Sequence, residues 1–432
     1  MVRNIGSSMR TLFAAAVVTT SLAAQLDGQA KSVTLDDALE LALQIQPAMV
    51  QARGQMTNAR MSRLQAYGNW MPTINATSSV STNSSQRFDA ATQRTVSGSS
   101  TSYSSGFSAS MTVFDGFSRL AQNHAASADY ASADAALVNQ SFQIVLQTKQ
   151  VYYSALAADE LVRVANTRIK RSDEQLKISK EKLVAGTATR SDTLRSRVEL
   201  ANAQLQLVNA QTQQATAQAD LARLIGVDGS VGVVDEDRFR NFVEVDTSTL
   251  RQEALARSPV IGAATAASRA ADAQVAVSRA QFFPTVSASY QRSWAGNQLS
   301  SLRPSWSARL NLSWPIFNGF SRELTQTRNA VARDAARAQA DDAVRNVNAQ
   351  LTQYLTTLTA ARTRLEIARA NEAASSEDLR VQRERYRLGA ATIVEVLDSQ
   401  INLDQAEVDI VQARLDYLVA KAQIEALIGR EL

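Results

Sequence analysis

Two kinds of hydrophobic spacing take turns along this 432-residue chain. From 305 to 314, Trp306, Ala308, Leu310, Leu312 and Trp314 alternate with Ser305, Ser307, Arg309, Asn311 and Ser313. A period of two, apolar on one side and polar on the other, predicts a strand. Phe107, Ala109, Met111 and Val113 alternate in the same way with Ser108, Ser110 and Thr112. The runs 74–81 and 286–291 repeat it through Ile74, Ala76 and Val80, and through Val286, Ala288 and Tyr290. Elsewhere the spacing is helical. Leu397, Ile401, Asp404, Val408, Val411, Leu415, Leu418 and Ala422 advance by steps of four and three, as do Leu194, Val198, Ala201, Leu205 and Val208. Such steps make a coiled-coil seam, and Asp404 is a carboxylate inside it.

The whole pattern occurs twice. Pro47 and Pro72 match Pro259 and Pro284, 212 positions on, and Phe114-Asp115-Gly116-Phe117-Ser118-Arg119 matches Phe317-Asn318-Gly319-Phe320-Ser321-Arg322 at an offset of 203. Leu224-Ile225-Gly226 matches Leu427-Ile428-Gly429 at the same 203. Repetition on this scale means a duplicated unit. Each copy predicts a helix (48–70, 260–282) broken at Pro72 or Pro284. A strand hairpin follows (73–114, 285–316), with 84–100 and 296–303 as polar connections. Beyond Gly116 and Gly319 run long helices (119–184, 322–386), each about 100 Å at 1.5 Å per residue. Helices 192–225 and 395–428 return alongside, and the short helix supplies the length they lack, with the break near Pro47 and Pro259. The expected organisation is a first repeat over 31–226, an irregular equatorial segment over 227–247 and a second repeat over 248–432.

Between the long and returning helices lie two matching turns, Gly186-Thr187-Ala188-Thr189 and Gly389-Ala390-Ala391-Thr392. Gly186 and Gly389 suit the left-handed residue that closes a helix. Thr189 and Thr392 suit the next N-cap, with Asp192 and Glu395 three positions on as in a capping box.

The first 30 residues read as an export leader. Arg3 and Arg10 precede an apolar run from Thr11 to Ala24, followed by small residues. That run is too short to span a membrane as a helix, and no later run is longer, so any membrane crossing is made by strands. Alternation alone also fits a soluble sandwich. Export, strands of about ten residues and the tryptophans at both ends of the apolar side (Trp306, Trp314) favour a transmembrane barrel. Four strands cannot close a useful barrel, whereas three chains would supply twelve.

With no cysteine, the chain has no disulfide framework and no thiolate metal site. Its single histidine, His124, sits in a polar helical stretch and reads as a solvated residue. A formal charge of +4, with basic and acidic residues interspersed, does not make a nucleic-acid surface. No nucleophile constellation, metal cluster or phosphate-cradling loop is present, so no catalysis, metal or cofactor is expected.

These features resemble the TolC family of outer-membrane efflux and secretion channels, most closely over Tyr386 to Asp398 and the Phe-x-Gly-Phe turns. The resemblance implies a mainly helical trimer with a twelve-strand outer-membrane barrel on a twelve-helix periplasmic tunnel. It implies a periplasmic adaptor and an inner-membrane pump, ATP-binding-cassette or proton-driven, as partners. The missing N-terminal cysteine matches the non-lipidated branch. It also implies a gate: Glu395 and Asp398 at an acidic constriction, and Asp192 and Tyr386 linking neighbouring hairpins. Here Ala391 replaces the family's gate arginine, which leaves open whether Arg190 or Arg387 takes its place. The tips Gly186, Thr187, Gly389 and Ala390 would meet the adaptor, and Pro72, Gly116, Pro284 and Gly319 would join barrel to tunnel.

From the residues alone, Glu395 and Asp398 also read as N-cap partner and first-turn acid, and Tyr386 as packing. A competing reading of the whole chain is a periplasmic coiled-coil structural or adaptor protein without a pore. The cargo is not legible in the sequence.

Overall fold

The computed structural model describes residues 31–89, 91, 93–236 and 247–432. The expected leader and part of the expected equatorial segment lie outside them. The chain begins with β1 (Lys31–Val33), α1 (Leu35–Ile45) and α2 (Pro47–Gly68), then the hairpin β2 (Thr73–Asp89) and β3 (Arg94–Phe114). Two helices follow, α3 (Ser118–Val184) and α4 (Arg190–Ile225), and then β4 (Val231–Val233). The second copy runs α5 (Thr247–Arg257), α6 (Pro259–Ala280), β5 (Thr285–Gly296), β6 (Arg303–Ser313), α7 (Ser321–Arg387) and α8 (Ile393–Ile428). The long helices α3 and α7 are both 67 residues, and α4 and α8 are both 36.

Helices α4 and α2 share α3 end to end, as their lengths require. The join is tight: the Gln46 side-chain amide donates to the Leu224 carbonyl. Gly226, at φ +67°, caps α4 where a Cβ would run into Ile45. In the second copy Gly429 caps α8 against Pro259. Beyond the predicted elements are α1 and α5, the short helices before each proline. Also beyond them are β1 and β4, which pair in parallel through Lys31–Val231 and Val33–Val233. Residues 231–233 of the expected irregular segment are therefore a strand.

The largest apolar core lies at this level. Tyr152 of α3, Leu221 and Ile225 of α4, Leu351 of α7, and Ile424 and Ile428 of α8 are all fully buried. The Tyr152 hydroxyl lies within donating distance of the Val33 and Val234 carbonyls (3.1 and 2.9 Å), its one proton serving either, and accepts from the Val234 N–H (3.1 Å), so it ties the strand pair to the core. Lys149 and Glu425, both buried, pair at 2.7 Å beside it.

All four long strands form one antiparallel sheet, in the order β2-β3-β5-β6. The two copies meet at β3–β5, with Ala109 opposite Tyr290 and Ser110 opposite Ser289. Register sorts the side chains onto two faces. Ile74, Ala109, Tyr290 and Ala308 share one row, and Ala76, Phe107, Arg292 and Trp306 the next. On the other face Thr73, Ser110, Ser289 and Arg309 share a row, followed by Asn75, Ser108, Gln291 and Ser307. Cross-strand hydroxyl pairs lace that polar face: Thr73–Ser110 at 2.7 Å, Ser79–Ser104 at 2.8 Å and Ser293–Ser305 at 2.9 Å.

The stretch 84–100, expected as a connection, is mostly strand. β2 and β3 are 17 and 21 residues, well beyond the expected ten, whereas β5 and β6 are 12 and 11. Pairing of β3 with β5 starts only at Tyr103, so the far part of the first hairpin projects as a two-stranded ribbon. Its Ser/Thr composition lacks apolar alternation and reads as a loop, but the ladder continues through it.

The joints between strands and helices are alike in both copies. Gly116 and Gly319 are left-handed (φ +64° and +67°), and so are the phenylalanines after them, Phe117 (φ 67°) and Phe320 (φ 64°). Left-handed phenylalanine costs roughly 1–2 kcal/mol, and packing offsets it. Phe117 stacks edge-on against Phe114 and Phe283 (5.6 and 6.4 Å), and Phe320 against Phe317 (5.5 Å). Arg119 lies 4.5 Å over Trp70 and pairs with Asp115 at 3.0 Å; Arg322 lies 4.8 Å over Phe282. Pro72 and Pro284 each precede the first strand residue, where the helix can no longer continue.

The two joint glycines are not equivalent. A Cβ at 116 would stand 2.3 Å from Phe283 Cβ and 2.9 Å from the Ala280 carbonyl oxygen, whereas at 319 nothing lies within 4 Å. Gly319→Ala is expected to cost about 1 kcal/mol, from its left-handed backbone alone. Gly116→Ala is expected to cost substantially more. Thermal unfolding of the two variants side by side, with Gly116→Ala melting clearly lower, checks this.

Candidate functional site

Both hairpin tips close as the sequence predicts. After α3, the Gly186 N–H donates to the Leu183 carbonyl (3.0 Å) and the Thr187 N–H to the Lys182 carbonyl (2.9 Å), around Gly186 at φ +71°. After α7 the same pair runs from Gly389 to Tyr386 (3.1 Å) and from Ala390 to Arg385 (2.7 Å), with Gly389 at φ +80°. These are Schellman closures, which satisfy the last helical carbonyls. Capping boxes start the returning helices. The Thr189 N–H donates to Asp192 (2.9 Å) while Thr189 accepts from the Asp192 N–H, and Thr392 and Glu395 do the same (3.2 Å). Asp192 and Glu395 are thus both structural caps, Glu395 exposed and Asp192 half-buried. Asp398 is exposed one turn further along α8.

Gly186, Thr187, Gly389 and Ala390 are exposed, and two apolar neighbours go with them, Val184 and Leu388, at 91% and 84% exposure. Tyr386 is different. It is buried with Leu379, Ile393, Val396 and Leu403, and Ala391 packs against the same cluster. Its hydroxyl has Ser179 and Asp192 of the first hairpin as neighbours. Burial holds its pKa above the ordinary tyrosine value, and the Asp192 charge adds to this, with Ser179 pulling the other way. Packing and proximity to Asp192 therefore coexist at Tyr386. Tyr386 is buried within reach of the Asp192 charge of the same chain, while Glu395 and Asp398 stay in solvent.

Of the two arginines considered for the gate, Arg387 pairs locally with Glu384 at 3.2 Å, and Arg190 is exposed. At the tip itself Lys182 bridges the hairpins. Its ammonium lies 4.9 Å over the Tyr386 ring and donates to the Arg387 carbonyl at 3.1 Å. No sequence signal distinguishes Lys182 from the other basic residues of α3.

Further from the tip, the seam between the hairpins is polar where a coiled coil is ordinarily apolar. Ser179 and Ser196 bond each other within the first hairpin at 2.9 Å, and Gln400 of the second donates to Ser172 of the first at 2.7 Å, all fully or nearly fully buried. Beyond them is a buried ionic cluster. Asp404 receives Arg168 (2.9 Å) and Arg171 (2.6 Å), Arg168 also reaches Glu199 (2.7 Å), and Arg171 also reaches Glu407 (2.6 Å). Helices α3, α4 and α8 are clamped together by it. Burial raises the Asp404 pKa against the pull of both arginines. Burial likewise lowers that of Arg383, whose guanidinium donates to the Arg171 carbonyl. The sequence shows Asp404 as a charge in the seam; its two arginine partners on α3, and the Glu199 and Glu407 that those arginines also bind, have no signal there. His124, elsewhere on α3, is exposed.

Asp404→Ala leaves two guanidinium groups with fewer partners and is expected to loosen the clamp by about 2 kcal/mol. Amide exchange near 168–171 and 400–407 should then speed up roughly 30-fold. Asp404→Asn should cost less. A raised carboxyl pKa means the charged form is the disfavoured one in the fold, a penalty present above that pKa and relieved as pH falls through it. Equal exchange rates in the alanine variant and the parent chain would contradict the clamp.

The chain matches the family model described as outer membrane efflux protein over residues 38–227 and 250–430, one segment in each copy. It is 23% identical over 369 residues to a probable efflux pump outer membrane protein, TtgC of Pseudomonas putida, covering 83% of this chain and 75% of that protein. It is 23% identical over 300 residues to the alkaline protease secretion protein AprF of Pseudomonas aeruginosa, covering 67% of this chain and 62% of that one. In fold it is similar to the CmeC outer membrane channel of Campylobacter jejuni, at a TM-score of 0.78 and 18% identity over 91% of this chain and 85% of that chain. Long paired helices carrying a two-faced sheet, matched along both copies, support a channel and not a coiled coil without a pore: the chain belongs to the outer membrane efflux protein family and is an outer-membrane export channel.

Proposed function

We propose that three copies close their four-stranded sheets into one twelve-strand barrel and their helices into one twelve-helix tunnel. This assembly would be a passive exit duct for a periplasmic adaptor and an inner-membrane pump. The observation that carries this reading is the sheet. Its outer strands β2 and β6 are unpaired edges, one face carries exposed Ile74, Phe107, Trp306, Leu310 and Leu312, and the other is lined with hydroxyls. Lipid tolerates no unpaired backbone, and neighbouring copies can pair β6 with β2. Barrels sort apolar side chains outward and polar ones inward. The 11 residues of β6 match the lower part of β2, so the ribbon beyond Tyr103 would extend outside the barrel.

The tips supply the gate in this reading. Glu395 and Asp398 of three chains bring six carboxylates to one narrow opening, with Asp192 and Tyr386 beside them. Like charges so placed attract cations. Lys182 takes the position of a hairpin-bridging cation that Ala391 cannot fill. The exposed Gly186, Thr187, Gly389 and Ala390, flanked by Val184 and Leu388, give the adaptor a surface of small and apolar residues. The named relatives divide between an efflux pump and protease secretion, so cargo is assigned by the pump that co-purifies after crosslinking native envelopes.

In planar bilayers the purified trimer is expected to conduct with a preference for cations. Glu395→Gln combined with Asp398→Asn should lower the cation-to-anion permeability ratio roughly severalfold. An unchanged ratio would remove these two residues from the constriction. A monomer by native mass measurement would remove the assembly.

A further inference from the structure

The polar face of the sheet is not neutral. The strand stretches 73–86, 95–114, 285–296 and 303–313 contain no Asp or Glu. Two arginines, Arg309 and Arg303, stand on that polar face of β6. Arg309 is in register with Ser289, Ser110 and Thr73, and Arg303 with Ala295, Ser104 and Ser79. Both side chains are exposed. The first strand carboxylate is Asp89, at the far end of β2, opposite Arg94 in register.

The height of the two arginines matters. Arg309 lies between Ala308 and Leu310, which face the other way inside the apolar stretch bounded by Trp306 and Trp314. It therefore belongs to the part of the sheet that lipid surrounds. Arg303 is beyond Trp306, towards the outer end. Six residues at about 3.3 Å each separate them by about 20 Å along the strand. Arg292, by contrast, is on the apolar face, 5.4 Å over Trp294 and in the row of Trp306, as suits an interfacial anchor.

From this we infer that the barrel exit selects for anions: Arg309 and Arg303 of each chain form two positive rings in the lumen, which hold anionic solutes and disfavour cationic ones. The inference rests on the trimeric duct proposed above and adds a solute class to it. Low-dielectric walls around a narrow aqueous bore strengthen a fixed charge, and rings of arginine are how pores prefer anions. The serine and threonine hydroxyls beside the arginines can donate to the same anion, and no carboxylate at those levels cancels the field. The duct would then carry opposite signs at its two ends, acidic at the tips and basic at the barrel.

A blocker applied from the barrel side reads the outer rings separately from the tips. Pyrophosphate added on that side of single trimers in a bilayer should reduce the current. Arg303→Gln with Arg309→Gln should raise the half-blocking concentration roughly tenfold or more. The Arg303→Lys/Arg309→Lys pair, which keeps the charge, should stay close to the parent channel and serves as the folding control. Conductance with the same half-blocking concentration in the glutamine variant would overturn the arginine assignment alone. A correctly folded protein with no conductance at all would overturn the duct together with it.

Discussion

Backbone hydrogen bonding is the constraint on which this molecule depends. A sheet with an apolar face belongs against lipid, and in lipid an unpaired N–H or C=O has no water to turn to. The four strands pair among themselves and leave two edges open. Everything else serves to present those edges in the right place. Both strand hairpins arise from helices halted by Pro72 and Pro284, and both return to helices through a left-handed glycine followed by a left-handed phenylalanine. Duplication gives two hairpins with the same entry and exit geometry, and β3 and β5 join them into one sheet.

The helical part is held by two different chemistries. At the level where α4 meets α1 and α2, and α8 meets α5 and α6, the core is apolar and closed, centred on Tyr152, Leu351 and Ile424. Towards the tips the seam changes to serine, glutamine and a buried charge cluster around Asp404. Apolar packing is non-directional and costs much to expose. A hydrogen-bonded polar seam is specific in register, yet its groups find partners in water when separated. The molecule is thus built with a firm middle and an end whose inner surfaces can be wetted. That distribution suits the gate proposed at the hairpin tips.

Much of this could be read along the chain because it is local. Gly186, Thr189 and Asp192, and again Gly389, Thr392 and Glu395, form closures within a few residues of one another, so sequence spacing fixes them. Alternation from Trp306 to Trp314 likewise names a strand and its two faces without reference to any partner. The stretch 84–100 reads as a connection along the chain because serine, threonine and glycine carry no apolar alternation. Only the register with the facing strand makes it β.

Sequence alone determined the duplication, the helix lengths, the strand faces and the two tips, since each follows from periodicity or from capping within a single segment. Tertiary structure decided which groups meet across segments. It set Tyr386 beside Asp192, Lys182 over the Tyr386 ring, and Arg168 and Arg171 on Asp404, and it paired β1 with β4. Those contacts join residues 194 to 236 positions apart. They exist because two hairpins of equal length lie side by side, and no spacing within either hairpin encodes that.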